Sequence, residues 1–442
     1  MNLFAKLQAE AAAGRPVRAG LIGAGKFGSM FLAQVPTTPG LEVSAIADLA
    51  PERARAALTT VGWDAGRAAR TAIITSGAEL AARDDVDVVI EATGDPEAGI
   101  LHARAAIAGG KHIVMVNVEA DVLAGPLLAA EARAAGLVYS MAYGDQPALV
   151  AELVDWARAC GFRVVAAGKG TKYQPHYHRL TPDEVWDHYG ISANEAGAAG
   201  MNSQMFTSFM DGTKSAIEAA AIANACDLKA PSKGLSFPPC GVDELAVVLR
   251  PASRGGMLED SGMVEVIASD ERDGRPVERD LRWGVYVVIE APSDYAAACF
   301  KQYGLKTDDS GRFAALYRPC HLIGLELGIS VLSAALRGEA TGSARAFNGD
   351  VMAVAKRDLA AGETLDGEGG YCLWGKLAPA AAALARGALP IGLARGAVLL
   401  RSIKAGEVVT WQDVEIDPDR PAVLARREME ARFAPGEESV AR

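Results

Sequence analysis

The chain has 442 residues, half of them hydrophobic, with 47 Gly and 21 Pro; this make-up excludes a disordered or collagen-like protein and leaves room for two or three domains. Its 55 acidic residues outnumber 44 Lys and Arg, for a net charge of −11. With no excess of cations to neutralise phosphates, neither nucleic acid nor an anionic membrane is expected as a partner.

The residues before Arg15 read as an amphipathic helix without a signal-peptide core, and no apolar run reaches membrane-spanning length. Six cysteines lack paired spacing, so reduced thiols and a cytoplasmic location are expected. Val17–Ile22, Leu41–Ala47, Val86–Glu91, His112–Asn117 and Leu137–Ala142 read as short apolar strands. Helical segments run through Met30 to Val35 and over Pro51–Val61, Gly99–Gly109 and Pro126–Ala135. The alternation predicts βαβ units and a doubly wound parallel sheet over residues 1–150, an α/β fold. Residues 151–345 mix helices (Ala148–Ala159, Ser215–Ala225) with strands (Phe162–Ala167, Gly284–Glu290) and predict an α+β substrate domain. Leu322–Leu336, apolar at helical spacing, is expected to pack back onto the first domain. Residues 346–442 predict a small β-rich domain, because Val351–Leu365 and Gly396–Val409 are approximate copies, each with an A-G-E turn. Glu428–Arg442 reads as a helix with a frayed tail.

The first strand runs into Gly23-Ala24-Gly25-Lys26-Phe27-Gly28, a G-x-G-x-x-G placed between a strand and a helix. Gly23 permits the tight turn, Gly25 lets backbone approach a pyrophosphate, and Gly28 lets the helix lie close to the strand. Free N–H groups of the helix start then meet the phosphate charge. Asp48 ends the second strand, twenty residues after Gly28. A carboxylate there accepts from ribose hydroxyls and favours NAD over NADP; Arg53 and Arg55 follow closely, so NADP stays open. Thr93 and Gly94, after Glu91, are placed to line the nicotinamide, and Asn117 lies on the next strand end. Glu119 and Asp121 bring two carboxylates to the same rim, as first-turn helix acids, substrate contacts or ligands of a divalent metal.

In the middle segment, Gly168-Lys169-Gly170-Thr171-Lys172 follows a strand; two lysines beside glycines suit an anionic substrate or a proton transfer. Asp211-Gly212-Thr213-Lys214 precedes Glu218, so Lys214 and Glu218 share a helix face, as a surface ion pair or as part of an acid–base site with Asp211. His176 and His178 form H-x-H in a loop that is expected to cover substrate. Asn202 and His321 are candidate substrate contacts with Glu119, although a satisfied buried imidazole is the favoured account of His321.

VRAGLIGAGKFG, VVIEATGDPEAG, HIVMVNVEADV, VAAGKG, FMDGTK and YRPCHLIGLEL, together with the A-G-E repeats, resemble homoserine-dehydrogenase-like oxidoreductases with a C-terminal SAF domain. One branch is the 1-deoxy-D-xylulose 5-phosphate reductoisomerase-like enzymes, which make 2-C-methyl-D-erythritol 4-phosphate. The resemblance covers residues 3 to 420 and implies a Rossmann domain, a dimerising substrate domain and a β-clip SAF domain. It implies an NAD(P)-dependent oxidoreductase acting on CH–OH groups of a small, hydroxylated, anionic substrate, in a homo-oligomer (dimer or tetramer). This chain departs from the reductoisomerase branch at Asp48 and at Lys169-Gly170-Thr171-Lys172, and from homoserine dehydrogenases at Val118, where those carry lysine. The expectation is alcohol–carbonyl interconversion with Lys169, Lys172 or Lys214 handling the proton and Asp211 orienting a lysine. The rivals are a homoserine-dehydrogenase-type reaction and a non-catalytic redox sensor that binds a partner.

Overall fold

A computed structural model describes residues 2–198 and 201–434. The expected frayed tail past 434, and two residues of the loop before Asn202, lie outside the described residues. The chain divides into two compact units, where three segments are read from the sequence. Of the described residues, the first comprises 2–152, His321–Arg345 and Leu424–Arg432; the second comprises those of 153–320, Ala346–Val423 and 433–434.

The first unit is built on six parallel strands: β1 (Val17–Ile22), β2 (Leu41–Ala47), β3 (Ala72–Ile74), β4 (Val88–Glu91), β5 (His112–Met115) and β6 (Tyr139–Met141). Their order, β3-β2-β1-β4-β5-β6, is that of a Rossmann sheet. The strands are nearly continuous apolar runs because helices cover both faces. Three-residue β3 carries too little pattern to be read from sequence. The helix Val118–Ala134 starts eight residues before the expected Pro126, because Asn117 caps it and the proline is accommodated inside. The stretch Leu322–Leu336 does belong to this unit: its helix, Gly328–Arg337, adds Val331 and Leu332 to a core with Leu21, Phe31, Ile46 and Ile90.

The second unit holds a four-stranded mixed sheet of β7 (Arg163–Thr171), β8 (Met263–Ala268), β9 (Val285–Glu290) and β10 (Phe313–Arg318), ordered β10-β9-β7-β8. The helix Thr213–Cys226 is buried along almost its whole length. It packs against β7 and β8 and also against the antiparallel pair β11 (Gly349–Ala355) and β12 (Leu373–Pro379). Polar contacts fix the β pair to the helix. Gly375 N donates to Thr213 Oγ1 at 2.8 Å, and Asn224 Oδ1 accepts from Asn348 N and Gly349 N at 2.8 and 2.9 Å. The two A-G-E copies meet each other through antiparallel bridges Val354–Val408, Leu359–Ile403 and Thr364–Val398.

Candidate functional site

The glycine loop follows β1 directly. Gly23 has φ of 96°, and a Cβ there would lie 2.6 Å from the carbonyl oxygen of Ala92. A Cβ on Gly28 would lie 2.6 Å from the carbonyl oxygen of Gly23, so only glycine lets the helix Lys26–Gln34 start this close to the strand. Gly25 is different: a Cβ there would meet nothing within 4 Å. Gly25 and Lys26 are exposed and Phe27 is half-buried against the core, so the helix start faces open space, as a bound pyrophosphate requires.

Thr93 and Gly94 are exposed beyond β4, with Gly94 at φ of 74°. The Thr93 hydroxyl donates to Glu91 Oε1 at 2.5 Å, and His102 Nδ1 lies 3.2 Å from the same oxygen. Asn117 is buried and links two strand ends: its Oδ1 accepts from Ala120 N at 3.1 Å and its Nδ2 donates to the Asp95 carbonyl at 2.7 Å. Asp48 is not laid out as expected. Its carboxylate accepts from Ala24 N at 2.9 Å, from Ala50 N at 2.8 Å and from Arg53, with Nη2 at 2.6 Å. Burial would raise its pKa, but the Arg53 and backbone hydrogen bonds outweigh that and hold it below the usual carboxylate range.

Glu119 and Asp121 do not form a chelating pair, because residues two apart on the helix Val118–Ala134 face different ways. Glu119 is half-buried. Asp121 is buried, accepts from Tyr139 Oη at 2.9 Å through Oδ1, and leaves Oδ2 without a hydrogen bond. Burial pushes its pKa up to about 7, against the opposing Tyr139 bond. It lines a small recess with Met115, Met141 and Asp145. Among the described residues, no group of three or more His, Cys, Asp or Glu is arranged to hold a metal. His321, also in this unit, is half-buried, so it is not the fully enclosed imidazole.

In the second unit β7 extends to Thr171, four residues past its expected end. Gly168 and Gly170 are therefore strand glycines. A Cβ on them would lie 1.8 Å from Glu265 O and 1.9 Å from Leu281 O, so they serve close backbone packing, not ligand approach. The two lysines also part company. Lys169 is buried and paired with Glu218 from the helix Thr213–Cys226, whereas Lys172 Nζ donates to the His188 carbonyl at 2.7 Å. Lys214 is half-buried on that same helix. Asp211 does hold a lysine, but one that sequence reasoning missed: Lys356, just past β11, at 2.8 Å. Both side chains are at most 2% exposed, and Lys356 also donates to the carbonyls of Leu180 and Gly370 at 2.7 Å each. Asp211 Oδ1 accepts from Thr213 N at 2.8 Å, fixing the turn that starts the helix bearing Glu218.

The H-x-H pair splits. His176 is exposed, while His178 stacks on Trp374 with ring centroids 3.8 Å apart. His178 Nδ1 lies 2.7 Å from the Asp211 carbonyl, which can only accept, so Nδ1 carries the proton and Nε2 accepts from Tyr173 Oη at 2.9 Å. Burial lowers the His178 pKa, the direction that favours the neutral ring. Asn202 is a helix cap, its Oδ1 accepting from Gln204 N and Met205 N. Glu265 is a further unforeseen group: buried on β8, it accepts from backbone N–H groups of Ser236, Phe237 and Val266, and burial pushes its pKa up to about 7. Glu265 and Lys356 carry no motif; a lone charge within or just past an apolar strand was the sole available signal.

Residues 17–116 match an oxidoreductase family's NAD-binding Rossmann fold, residues 144–327 match the catalytic domain of oxidoreductase DRL, and residues 350–415 match the SAF domain. No curated protein matches the chain. Among solved structures, myo-inositol dehydrogenase from Corynebacterium glutamicum is 15% identical over 38% of this chain and 48% of its own, with a TM-score of 0.29. The Lactobacillus casei myo-inositol dehydrogenase, solved with NAD(H) and myo-inositol, is 16% identical over 38% of this chain and 50% of its own, with a TM-score of 0.29. A homoserine dehydrogenase from Thiobacillus denitrificans is 21% identical over 42% of this chain and 43% of its own, with a TM-score of 0.31. The chain spans about half the length of the first two. No helix among the described residues is long and apolar enough to cross a membrane. Three successive segments of the chain are thus similar to an NAD-binding Rossmann fold, an oxidoreductase catalytic domain and a SAF domain.

Proposed function

We propose that the protein interconverts an alcohol and a carbonyl on a small polar, anionic substrate. The observation that carries this reading is the buried Lys169–Glu218 pair, which lies inside the segment matching an oxidoreductase catalytic domain. The nicotinamide, when bound, supplies or accepts the hydride. The N–H groups after Gly25 hold its pyrophosphate, and Thr93 and Gly94 border the ring. Lys169 Nζ gives a proton to the carbonyl oxygen during reduction and takes one from the hydroxyl during oxidation. Glu218 holds that ammonium in place, and the Asp211–Lys356 pair holds the helix start that aims Glu218. Such positioned proton transfer is worth about 10²–10⁴-fold in rate.

The resemblance of VAAGKG and FMDGTK to the reductoisomerase-like branch supports a finer reading, in which carbon-skeleton rearrangement accompanies hydride transfer. A sensor that binds nucleotide without turnover is favoured by one observation: Lys169 and Lys172 are both already bonded within the protein. The test is nicotinamide absorbance with NADH or NADPH against a panel of keto-acids, hydroxy-acids and sugar phosphates, with the reverse reactions from NAD⁺ and NADP⁺. Turnover that favours phosphorylated or carboxylated members over neutral sugars is expected. Nucleotide binding without turnover anywhere on the panel selects the sensor.

A further inference from the structure

We infer that Arg53 makes the adenosine end of the dinucleotide site accept a 2′-phosphate, so that the protein binds NADP(H) as well as NAD(H). This rests on the dinucleotide-site reading above and refines it. An acidic residue at the end of the second strand ordinarily bonds the ribose hydroxyls and repels a 2′-phosphate. Here Asp48 cannot do so in the arrangement observed, because its side chain is 0% exposed. A carboxylate has about four acceptor positions, and the protein fills them. Oδ2 takes Ala24 N at 2.9 Å and Arg53 Nε at 2.9 Å; Oδ1 takes Ala50 N at 2.8 Å and Arg53 Nη2 at 2.6 Å.

What faces solvent at this strand end is the cation. The Arg53 side chain is 58% exposed, and its bonds to Asp48 use Nε and Nη2, so the Nη1 edge points to no acceptor among the described residues. A guanidinium edge with free N–H groups matches phosphate oxygens. Leu49, between the strand end and the Arg53 helix Pro51–Thr60, is 90% exposed and offers an apolar surface to a flat ring. The carboxylate that would repel the phosphate is neutralised at contact distance by the same guanidinium. Arg53 is thus a specificity-determining residue, and Asp48 is the residue that positions it.

The test uses the full-length protein titrated with NADPH and with NADH, followed by nicotinamide fluorescence, and needs no substrate. The wild-type Kd values are expected within about tenfold of each other. Arg53→Gln removes the charge-assisted bond and uncovers Asp48, so the ratio Kd(NADPH)/Kd(NADH) is expected to rise roughly thirtyfold. Arg53→Lys keeps the charge but loses the fork and is expected to fall between. A wild-type ratio above about tenfold, or variants that both leave the ratio within threefold of wild type, overturns the inference. Binding of NADH alone removes only the role of Arg53. Binding of neither nucleotide removes the dinucleotide site itself and the inference with it.

Discussion

The glycine loop of the first unit and the buried charge pairs of the second are built by opposite rules. The loop does its work with backbone, within one strand–turn–helix, and its constraints are absences of side chain: Gly23 and Gly28 each leave room for a carbonyl oxygen 2.6 Å from where a Cβ would sit. The second unit works with side chains drawn from distant segments. Lys169 meets Glu218 across 49 residues, and Lys356 reaches Leu180 across 176. A local motif can be rebuilt anywhere its turn is kept; a long-range pair holds only while the whole unit is packed. The comparison therefore predicts that damage to the second unit is felt first as lost stability, and damage to the first as lost binding.

The largest expected effect is on Asp211. Lys356→Met leaves a fully buried carboxylate without its cation and is expected to cost about 3–5 kcal/mol in a denaturant unfolding experiment. Adding Asp211→Asn should recover much of that loss, because the residual penalty is the unpaired charge rather than the missing contact. A Lys356→Met variant as stable as wild type would show that the pair is hydrated and would erase the contrast between the units. The same pair changes what removal of the SAF region means. Residues 346–423 share a compact unit with 153–320, so truncation after residue 345 strips Lys356 from Asp211 and β11 and β12 from the helix Thr213–Cys226. Loss of folding in the second unit is expected, measured by circular dichroism.

This is also where the sequence stopped being legible. The parallel βαβ alternation of the first unit, the glycine loop and the helix that returns from beyond residue 320 could be read, because each shows in local periodicity or in a spaced motif. Asp211 could be singled out as a residue that orients a lysine. Which lysine it orients could not, since Lys169, Lys172 and Lys214 lie closer in sequence than Lys356 does. Gly168 and Gly170 looked like a ligand loop because nothing in GKGTK reveals the carbonyls of neighbouring segments pressing on both glycines. Asp48 met its expected position, yet Arg53, five residues on, covers its carboxylate.

Next in size is the lysine proposed to move the proton. Lys169→Met is expected to lower kcat by about 10²-fold or more once a substrate is in hand, with KM changed much less. Glu218→Gln keeps the shape of the pair and should give a smaller loss. A Lys169→Met variant that raises KM alone would make the residue an anion-binding group, and wild-type kinetics in both variants would move the proton transfer elsewhere.

A smaller effect separates two glycines of one loop. Gly23→Ala combines a positive φ with a Cβ against Ala92 and is expected to cost roughly 1–3 kcal/mol of stability. Gly25→Val meets no protein atom within 4 Å of the new Cβ, so the fold should tolerate it while NADH binding is lost, as a titration would show. Equal effects of the two on stability would mean that Gly25 is a structural glycine like its neighbour.

The smallest expected effect compares one buried carboxyl from each unit as pH is varied. Asp121 and Glu265 both have pKa values pushed by burial to about 7, far above the range of an exposed carboxyl. In each case the folded protein keeps a proton that the unfolded chain releases near pH 4. Stability therefore falls as pH rises between about 4 and 7 and levels off above that, each group contributing a slope of at most about 1.4 kcal/mol per pH unit. The two should respond differently to amide replacement. Asp121→Asn keeps an oxygen for Tyr139 and adds no unpaired charge, so it is expected to flatten its share of the slope at little cost below pH 5. Glu265 accepts from three backbone N–H groups, and its Oε1 and Oε2 both face donors. Glu265→Gln must turn an NH₂ toward one of them, so it should lose stability at every pH while flattening the slope. Thermal unfolding midpoints of the two variants and the wild type between pH 4 and 8 would measure this. An Asp121→Asn variant whose midpoint still falls with the wild-type slope would mean that Asp121 is ionised in the folded protein, and its unpartnered Oδ2 would then have to be met by water in the recess beside Met115 and Asp145.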